Sequence, residues 1–501
     1  MPGSGLWRTK TVEQSILDTD EPDTKLRKNL GTWDLIVFGV SVVIGAGIFT
    51  IAAQTAGDVS GPSVSLAFLL AAVACALAAL CYAEFASTVP VAGSAYTYSY
   101  ATFGEFLAWI IGWDLILEFS IAAAAVAKGW SSYLHQVLSS IGLSVETAVP
   151  LGPLQLDWGA MLLVAVLVGV LVTGTKLSAR VSLVITAIKV SVVLFIIIAG
   201  IAYIKPDNYT PFIPQAQSAS ESGPALEQSL LSLILGGETS NYGVYGLLAG
   251  ASLVFFAFIG FDIVATTAEE TRDPQRNAPR GILGSVAITT GLYVAVALVV
   301  TGMTHYTKLA TGPDGESATL ATAFQLNGVN WAASLISVGA LIGLTTVVMV
   351  LLLGQTRVLF AMARDGLLPR GLAKTDERRG TPVRTTVLVG VVVFLAAGFF
   401  PFSRLAEMVN VGTLFAFSLV SIGVIVLRRK RPDLPRGFRA PLVPWVPVLA
   451  VVACLWLMIN LTALTWVRFG IWMLAGVVVY FAYSRSHSVL AQRERAGLSE
   501  E

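Results

Sequence analysis

One lysine interrupts an apolar run, Val181-Ser-Leu-Val-Ile-Thr-Ala-Ile-Lys189-Val-Ser-Val-Val-Leu-Phe-Ile-Ile-Ile. A charged side chain at the centre of a membrane helix costs about 2.5–3.5 kcal/mol on insertion scales, so its presence asks for a function. Lys189 follows Arg180 by nine residues, which places it roughly 13 Å along a helix at the usual rise. An amine there can take and release a proton; the plain alternative is a lysine that snorkels to the membrane surface. Asp114 and Glu118 stand four residues apart and so share one helix face. Glu118 suits an amine receptor, a proton carrier or a helix-orienting group, and equally a satisfied structural hydrogen bond. Asp262 ends the run Gly260-Phe261-Asp262, where it would cap a restarting helix or touch a solute. Thr345 and Thr346 offer hydroxyls at depth or simple helix packing. Lys128 faces outer water on this reading.

Enzyme chemistry finds no constellation. There is no His-Glu-x-x-His, no phosphate-binding Walker loop and no Cys-x-x-Cys, and His135, His305 and His487 are far apart. Cys75, Cys81 and Cys454 all fall in apolar runs, and an odd number there argues against a disulfide framework. Gly45-x-Gly47 is not a dinucleotide fingerprint, because Thr50 stands where a third glycine is needed. No cofactor or metal is expected. Glu269 and Glu270 fall at the inner end of an apolar segment, where a gate or loop-ordering role suits them better than catalysis.

These groups must be held by membrane helices. Of 501 residues, 55% are hydrophobic and 13% charged, whereas a soluble chain carries about a quarter charged. A helix needs about 20 apolar residues to cross a bilayer. Twelve runs approach this: 33–56, 63–89, 104–139, 159–174, 177–204, 244–269, 282–303, 331–363, 383–400, 405–427, 441–463 and 467–485. The fourth is the shortest. The expected architecture is an all-α integral membrane protein with about 12 transmembrane helices. A 1–32 cytoplasmic segment precedes the 33–485 transmembrane domain, and 486–501 forms a cytoplasmic tail. No cleavable signal peptide is visible in the polar first 32 residues. With the N-terminus inside, the outer loops hold only Lys205, Lys308, Arg404 and Arg468, and Lys128, Lys189 and Arg357 fall within spans. The other 25 of 32 basic residues lie inside, the asymmetry that cytoplasmic loops show. Missing one span would reverse every later loop. A net charge of +1 gives no reason to expect a nucleic-acid partner. Asn208-Tyr209-Thr210 is a formal glycosylation sequon.

Two runs break themselves. The first reads Gly39-Val-Ser-Val-Val-Ile-Gly45-Ala-Gly47-Ile-Phe49, the sixth Phe255-Phe-Ala-Phe-Ile-Gly260-Phe-Asp262. Unwound backbone at membrane depth is tolerated only when it lines a cavity or is buried in protein. Paired breaks at corresponding places in two halves mark a midplane binding site in many carriers, and spans one and six are where a five-plus-five repeat puts them. Freed N–H groups at a half-helix start hold a carboxylate, and freed carbonyls hold an ammonium. Together they suit a zwitterion. The competing explanation is that small residues let helices approach.

The same stretches resemble a known family. Gly45-Ala-Gly47-Ile-Phe49 is similar to a signature of the amino acid–polyamine–organocation superfamily. Tyr82-Ala-Glu84-Phe with Val89-Pro90-Val-Ala-Gly93-Ser-Ala-Tyr96 looks like its hallmark after span two. Gly112-Trp113-Asp114-Leu-Ile-Leu-Glu118, the span-six break, Ala268-Glu269-Glu270-Thr-Arg-Asp-Pro274, and Gly354-Gln-Thr-Arg357 through Ala363-Arg-Asp365-Gly-Leu-Leu-Pro369 resemble its cationic amino acid transporter branch, bacterial type. The resemblance implies a LeuT-type fold, an inverted repeat of spans 1–5 and 6–10 with discontinuous helices 1 and 6 and two extra helices. It puts the substrate carboxylate near the backbone of Val43, Ile44, Ala46 and Gly47. It puts the amine near the carbonyls of Phe256, Ala257 and Ile259, with Phe256 shielding the site from outside and Glu118 beneath the pocket. Lys189 matches a lysine that stands where sodium-coupled relatives bind sodium, which implies proton coupling with Thr345 and Thr346 close by. Asp262, Glu84, Glu269 and Arg357 take gating or structural roles. The implied function is import of L-amino acids across the plasma (inner) membrane by proton symport and alternating access, with the proton as coupling ion and the solute and lipid as partners. The alternatives are an exchanger without net proton movement and an amino-acid sensor.

Overall fold

The structure is a computed structural model that describes residues 8, 30–89, 94–143, 145–151, 154–174, 179–218, 225–236, 240–267, 271–310, 318–376 and 381–495. It is an all-α membrane protein. Among the described residues, eight helices are long and apolar enough to cross a bilayer, and Thr32–Val43, Trp158–Val172, Val383–Phe399 and Trp445–Ile459 are shorter apolar helices. In chain order the helices that build the bundle are α1 (Thr32–Val43), α2 (Val64–Thr88), α3 (Glu105–Ser140), α4 (Trp158–Val172), α5 (Ala179–Ile201), α6 (Gly243–Val254), α7 (Phe261–Thr266), α8 (Pro274–Met303), α9 (Asn330–Arg364), α10 (Val383–Phe399), α11 (Phe402–Lys430), α12 (Trp445–Ile459) and α13 (Ala463–Val479).

Sequence breakers set the boundaries. α1 ends at Val43 and Ile44 turns to extended backbone. The chain restarts at Gly47 in a π-helical turn (Gly47–Ile51), passes through Ala52–Thr55, enters a second π-helical turn (Ala56–Ser60), and stops at Gly61 with φ +66. The sixth run stops at Val254, tightens into a 3₁₀ turn (Phe255–Phe258), extends at Ile259, and restarts as α7 after Gly260. Gly260 has φ +121, which an L side chain rarely adopts. Segments read from sequence as loops also carry short elements. A hairpin pairs Ala148–Leu151 with Leu154–Asp157, and helices cover Ser94–Thr102, Leu230–Leu235 and Leu320–Leu326.

The helices pack in two groups. α8 lies along α1 and α2, with α6 against α2; α9 and α10 lie along α3, with α4 against both α3 and α10. α11 packs on α3, while α5 touches both α8 and α9. Small residues permit the close crossings: a Cβ on Gly39 would sit 2.6 Å from that of Ser285 on α8. α13 is tied to α3 by indoles. Trp113 Nε1 donates to Trp472 O at 2.9 Å, Trp472 Nε1 donates back to Trp113 O at 3.1 Å, and the two rings stack at 4.6 Å. At the opposite end of α3, Lys128 and Asp157 form a buried pair at 3.1 Å, and Asp157 also accepts from Ser131 and from the backbone of α4.

Candidate functional site

The two breaks face each other. A Cβ on Gly47 would lie 2.2 Å from Ala257 Cα, so the backbones of the two unwound stretches are in contact there. Beside that contact is a cavity walled by Val42, Val43, Gly45, Ala46 and Gly47 of span one and by Phe256, Ile259 and Gly260 of span six. Ala122 and Val126 of α3 and Val347 and Leu351 of α9 complete it. Each of those last two pairs is spaced i, i+4, which puts both members on one helix face. Every side chain in the wall is apolar. Polarity in this cavity therefore comes from backbone.

The backbone of the first break is already partly used, and the pattern matters. Several carbonyls in and around it are taken by side chains of the protein. Tyr293 on α8 donates to Val43 O at 2.7 Å, and Tyr133 on α3 donates to Phe49 O at 2.6 Å. Lys189 Nζ donates to Ser41 O and lies 3.4 Å from Ile44 O. The N–H groups opening the restarted helix have no intrahelical acceptor, the normal state of a helix start. With those carbonyls engaged, the N–H groups of the restart are the polar groups that span one has left to offer. Donors plus the positive end of the helix dipole suit an anionic group.

Lys189 is 1% exposed. Its stem passes over Gly343 of α9, where a Cβ would stand 2.5 Å from Lys189 Cγ. Thr186, one turn earlier on α5, bonds the Ser41 hydroxyl at 2.8 Å. The amine thus bridges α5 to the end of α1 at the break. Thr346 is one turn from Gly343 and bonds its carbonyl at 2.7 Å. Thr345 points the other way and accepts from Trp130 Nε1 of α3 at 3.0 Å.

The other sequence-derived candidates are spread more widely. Glu118 is 1% exposed and lies one turn before Ala122, beneath the cavity rather than in its wall, with Thr413 of α11 beside it. Asp114 faces Gly412 of α11, where a Cβ would stand 2.9 Å from Oδ1. Asp262 lies in the first turn of α7, its carboxylate against the backbone N–H groups of Gly260 and Ile263. Phe256 is buried and meets the ring of Phe402 edge-on at 6.1 Å. Glu84 is far from the cavity. It accepts two bonds from Arg428 at 2.8 and 2.7 Å and one from the backbone of Ala440 at 2.8 Å, with Arg436 at 3.4 Å. Arg357 is exposed on α9. Glu269 lies outside the described residues. Tyr293, Tyr133 and Ser41 were not singled out from sequence. For the two tyrosines, a ring inside an apolar run was the only signal, and many such tyrosines serve packing alone; Ser41 gave none.

A family model described as amino acid permease matches residues 30–484. The chain belongs to the amino acid permease family, within the amino acid–polyamine–organocation superfamily. It is 43% identical to the methylthioribose transporter of Bacillus subtilis (strain 168), covering 97% of this chain and 99% of that protein. It is 42% identical to the branched-chain amino acid permease BcaP of the same organism, covering 98% and 100%. The vacuolar cationic amino acid transporter 4 of Arabidopsis thaliana is 30% identical over 97% of this chain and 96% of that protein. These relatives are permeases and transporters, not enzymes. The permease is a multi-pass membrane protein by both its helices and its kin.

Proposed function

We propose that this permease imports L-amino acids across the plasma membrane by proton symport, through alternating access in a twelve-span, five-plus-five inverted-repeat fold with both termini cytoplasmic. The observation that carries the reading is the wiring of the first break: it lines an apolar cavity, and the carbonyls of Ser41, Val43 and Ile44 are held by Lys189 and Tyr293, which leaves its N–H groups as donors. A zwitterion gives its carboxylate to those N–H groups, and its ammonium goes to the carbonyl side of Phe256, Ala257 and Ile259. Because the side chains in the wall are apolar, the fit is to a neutral, aliphatic amino acid rather than a cationic one. Lys189 is the proton-coupling group. Its ammonium ties α5 to α1; loss of the proton weakens that tie and frees α1 to move.

One finding favours a second reading of the substrate. The 43% identical relative is named for a thio-sugar, and an apolar wall would also accept a methylthio group. The test is uptake of labelled leucine, arginine and methylthioribose into proteoliposomes, with and without an inward-acid gradient. Gradient-stimulated leucine uptake is expected. Leucine uptake only into vesicles preloaded with amino acid would make the protein an exchanger, and uptake of methylthioribose alone would replace the substrate reading.

A further inference from the structure

The outer half of span one leaves the cavity as a π-helical turn, Gly47–Ile51, whose looser hydrogen-bond register is common at functional places in helices. α3 meets it at two places. Gly129 of α3 faces Ala46 and Thr50, where a Cβ would stand 3.2 and 3.0 Å from their side chains. One turn further, Tyr133 meets the π turn twice: its hydroxyl donates to Phe49 O at 2.6 Å, and its ring meets the Phe49 ring edge-on at 6.1 Å. Both residues are fully buried. The Tyr133 hydroxyl also lies beside Thr319 and Leu320, where the chain enters the Leu320–Leu326 helix. Gln136, three residues along the same face of α3, donates to Thr319 Oγ1 at 2.8 Å and accepts from Ser337 of α9 at 3.0 Å. Five buried polar groups from span one, α3, the 318–326 segment and α9 therefore meet at one junction, away from the cavity wall.

We infer that Tyr133 is a positioning residue that locks the outer half of span one onto α3 and so holds the outer path to the cavity closed. Resting on the carrier reading above, the inference assigns this junction the outer closing step. Opening outward requires the π turn to leave α3. That motion separates Tyr133 from Phe49 O and exposes Thr50, which is now 2% exposed and faces Gly129. The cost of opening includes the Tyr133 bond, because a buried hydroxyl without water must keep an acceptor.

The test places a cysteine at Thr50 (Thr50→Cys) and follows its modification by a membrane-impermeant thiol reagent added outside. The three native cysteines are buried and give a low background. Without substrate, Thr50→Cys reacts slowly. Adding Tyr133→Phe, which removes only the hydroxyl, speeds the reaction about five- to tenfold, the population shift for one net hydrogen bond. Gln136→Met, which unties the same junction from α9, accelerates it too and serves if the Tyr133 variant does not yield a monodisperse protein. An unchanged rate in either variant that elutes like its parent overturns the inference. The labelling needs no substrate, so a failure of the leucine assay would remove the function reading and leave this result standing.

Discussion

At the residue scale, Lys189 and Gly47 do opposite work on the same break. Lys189 supplies the donor that the Ser41 and Ile44 carbonyls need, and no other cation stands among the described cavity or break residues. Lys189→Ala is expected to leave a folded protein, since an alanine loses bonds without adding volume, while abolishing the pH dependence of net uptake. Uptake by that variant measured from pH 5 to 8 checks it; an ordinary pH profile would remove Lys189 from the coupling mechanism. Gly47 contributes by lacking a side chain. Its Cβ would enter the backbone of Ala257, which a rotamer change cannot relieve. Gly47→Val, and even Gly47→Ala, is expected to reduce substrate binding at least about a hundredfold, because about 3 kcal/mol of overpacking falls on the two surfaces that form the site. Equilibrium binding of labelled leucine is the check, and retained binding would count against this site.

Helices and their breaks were unequally legible. The glycines of spans one and six gave away both interruptions, because Gly45, Gly47 and Gly260 stand inside runs whose other residues favour burial. The π-helical turns of span one were not legible, since nothing in their local sequence marks the change of register. Partners were hidden for a related reason. Glu84 meets Arg428, and Tyr133 meets Phe49, across separations that only the packed bundle determines. Nor could local spacing tell that Ala122, one turn beyond Glu118, would stand in the cavity wall. The break in span six offers a test of its own. Gly260 joins the 3₁₀ turn to α7 at φ +121, and a Cβ there would also stand 2.8 Å from Val42 Cγ1. Gly260→Ala is expected to cost about 1–3 kcal/mol, the usual range for a strained backbone conformation. It should lower the thermal midpoint of the purified protein and weaken leucine binding together. A changed midpoint with untouched binding would mean that the strain is absorbed away from the cavity.

For the whole molecule, one asymmetry bears on its orientation. Counting spans from the N-terminus puts nearly all Lys and Arg on one side, which is the cytoplasmic side if the usual bias holds. By the same count, the ion pairs of Glu84 with Arg428 and Arg436 tie the end of α2 to the last turn of α11 and the segment after it on the inner side. The same count puts the hairpin, the Lys128–Asp157 pair and the Tyr133 junction on the other side. The short helices α4, α10 and α12 are the weak points of the count, because a single misassigned span inverts everything after it. Reporter fusions resolve each of them. A fluorescent protein that matures only in the cytoplasm should light up after residues 176, 374 and 430. Alkaline phosphatase, active only outside, should report after residues 156, 404 and 462. A switch of sides between 374 and 404 requires α10 to cross, and a second between 430 and 462 requires α12 to cross. If 374 and 404 report the same side, the twelve-span arrangement fails, and the inverted repeat that makes spans one and six equivalent fails with it.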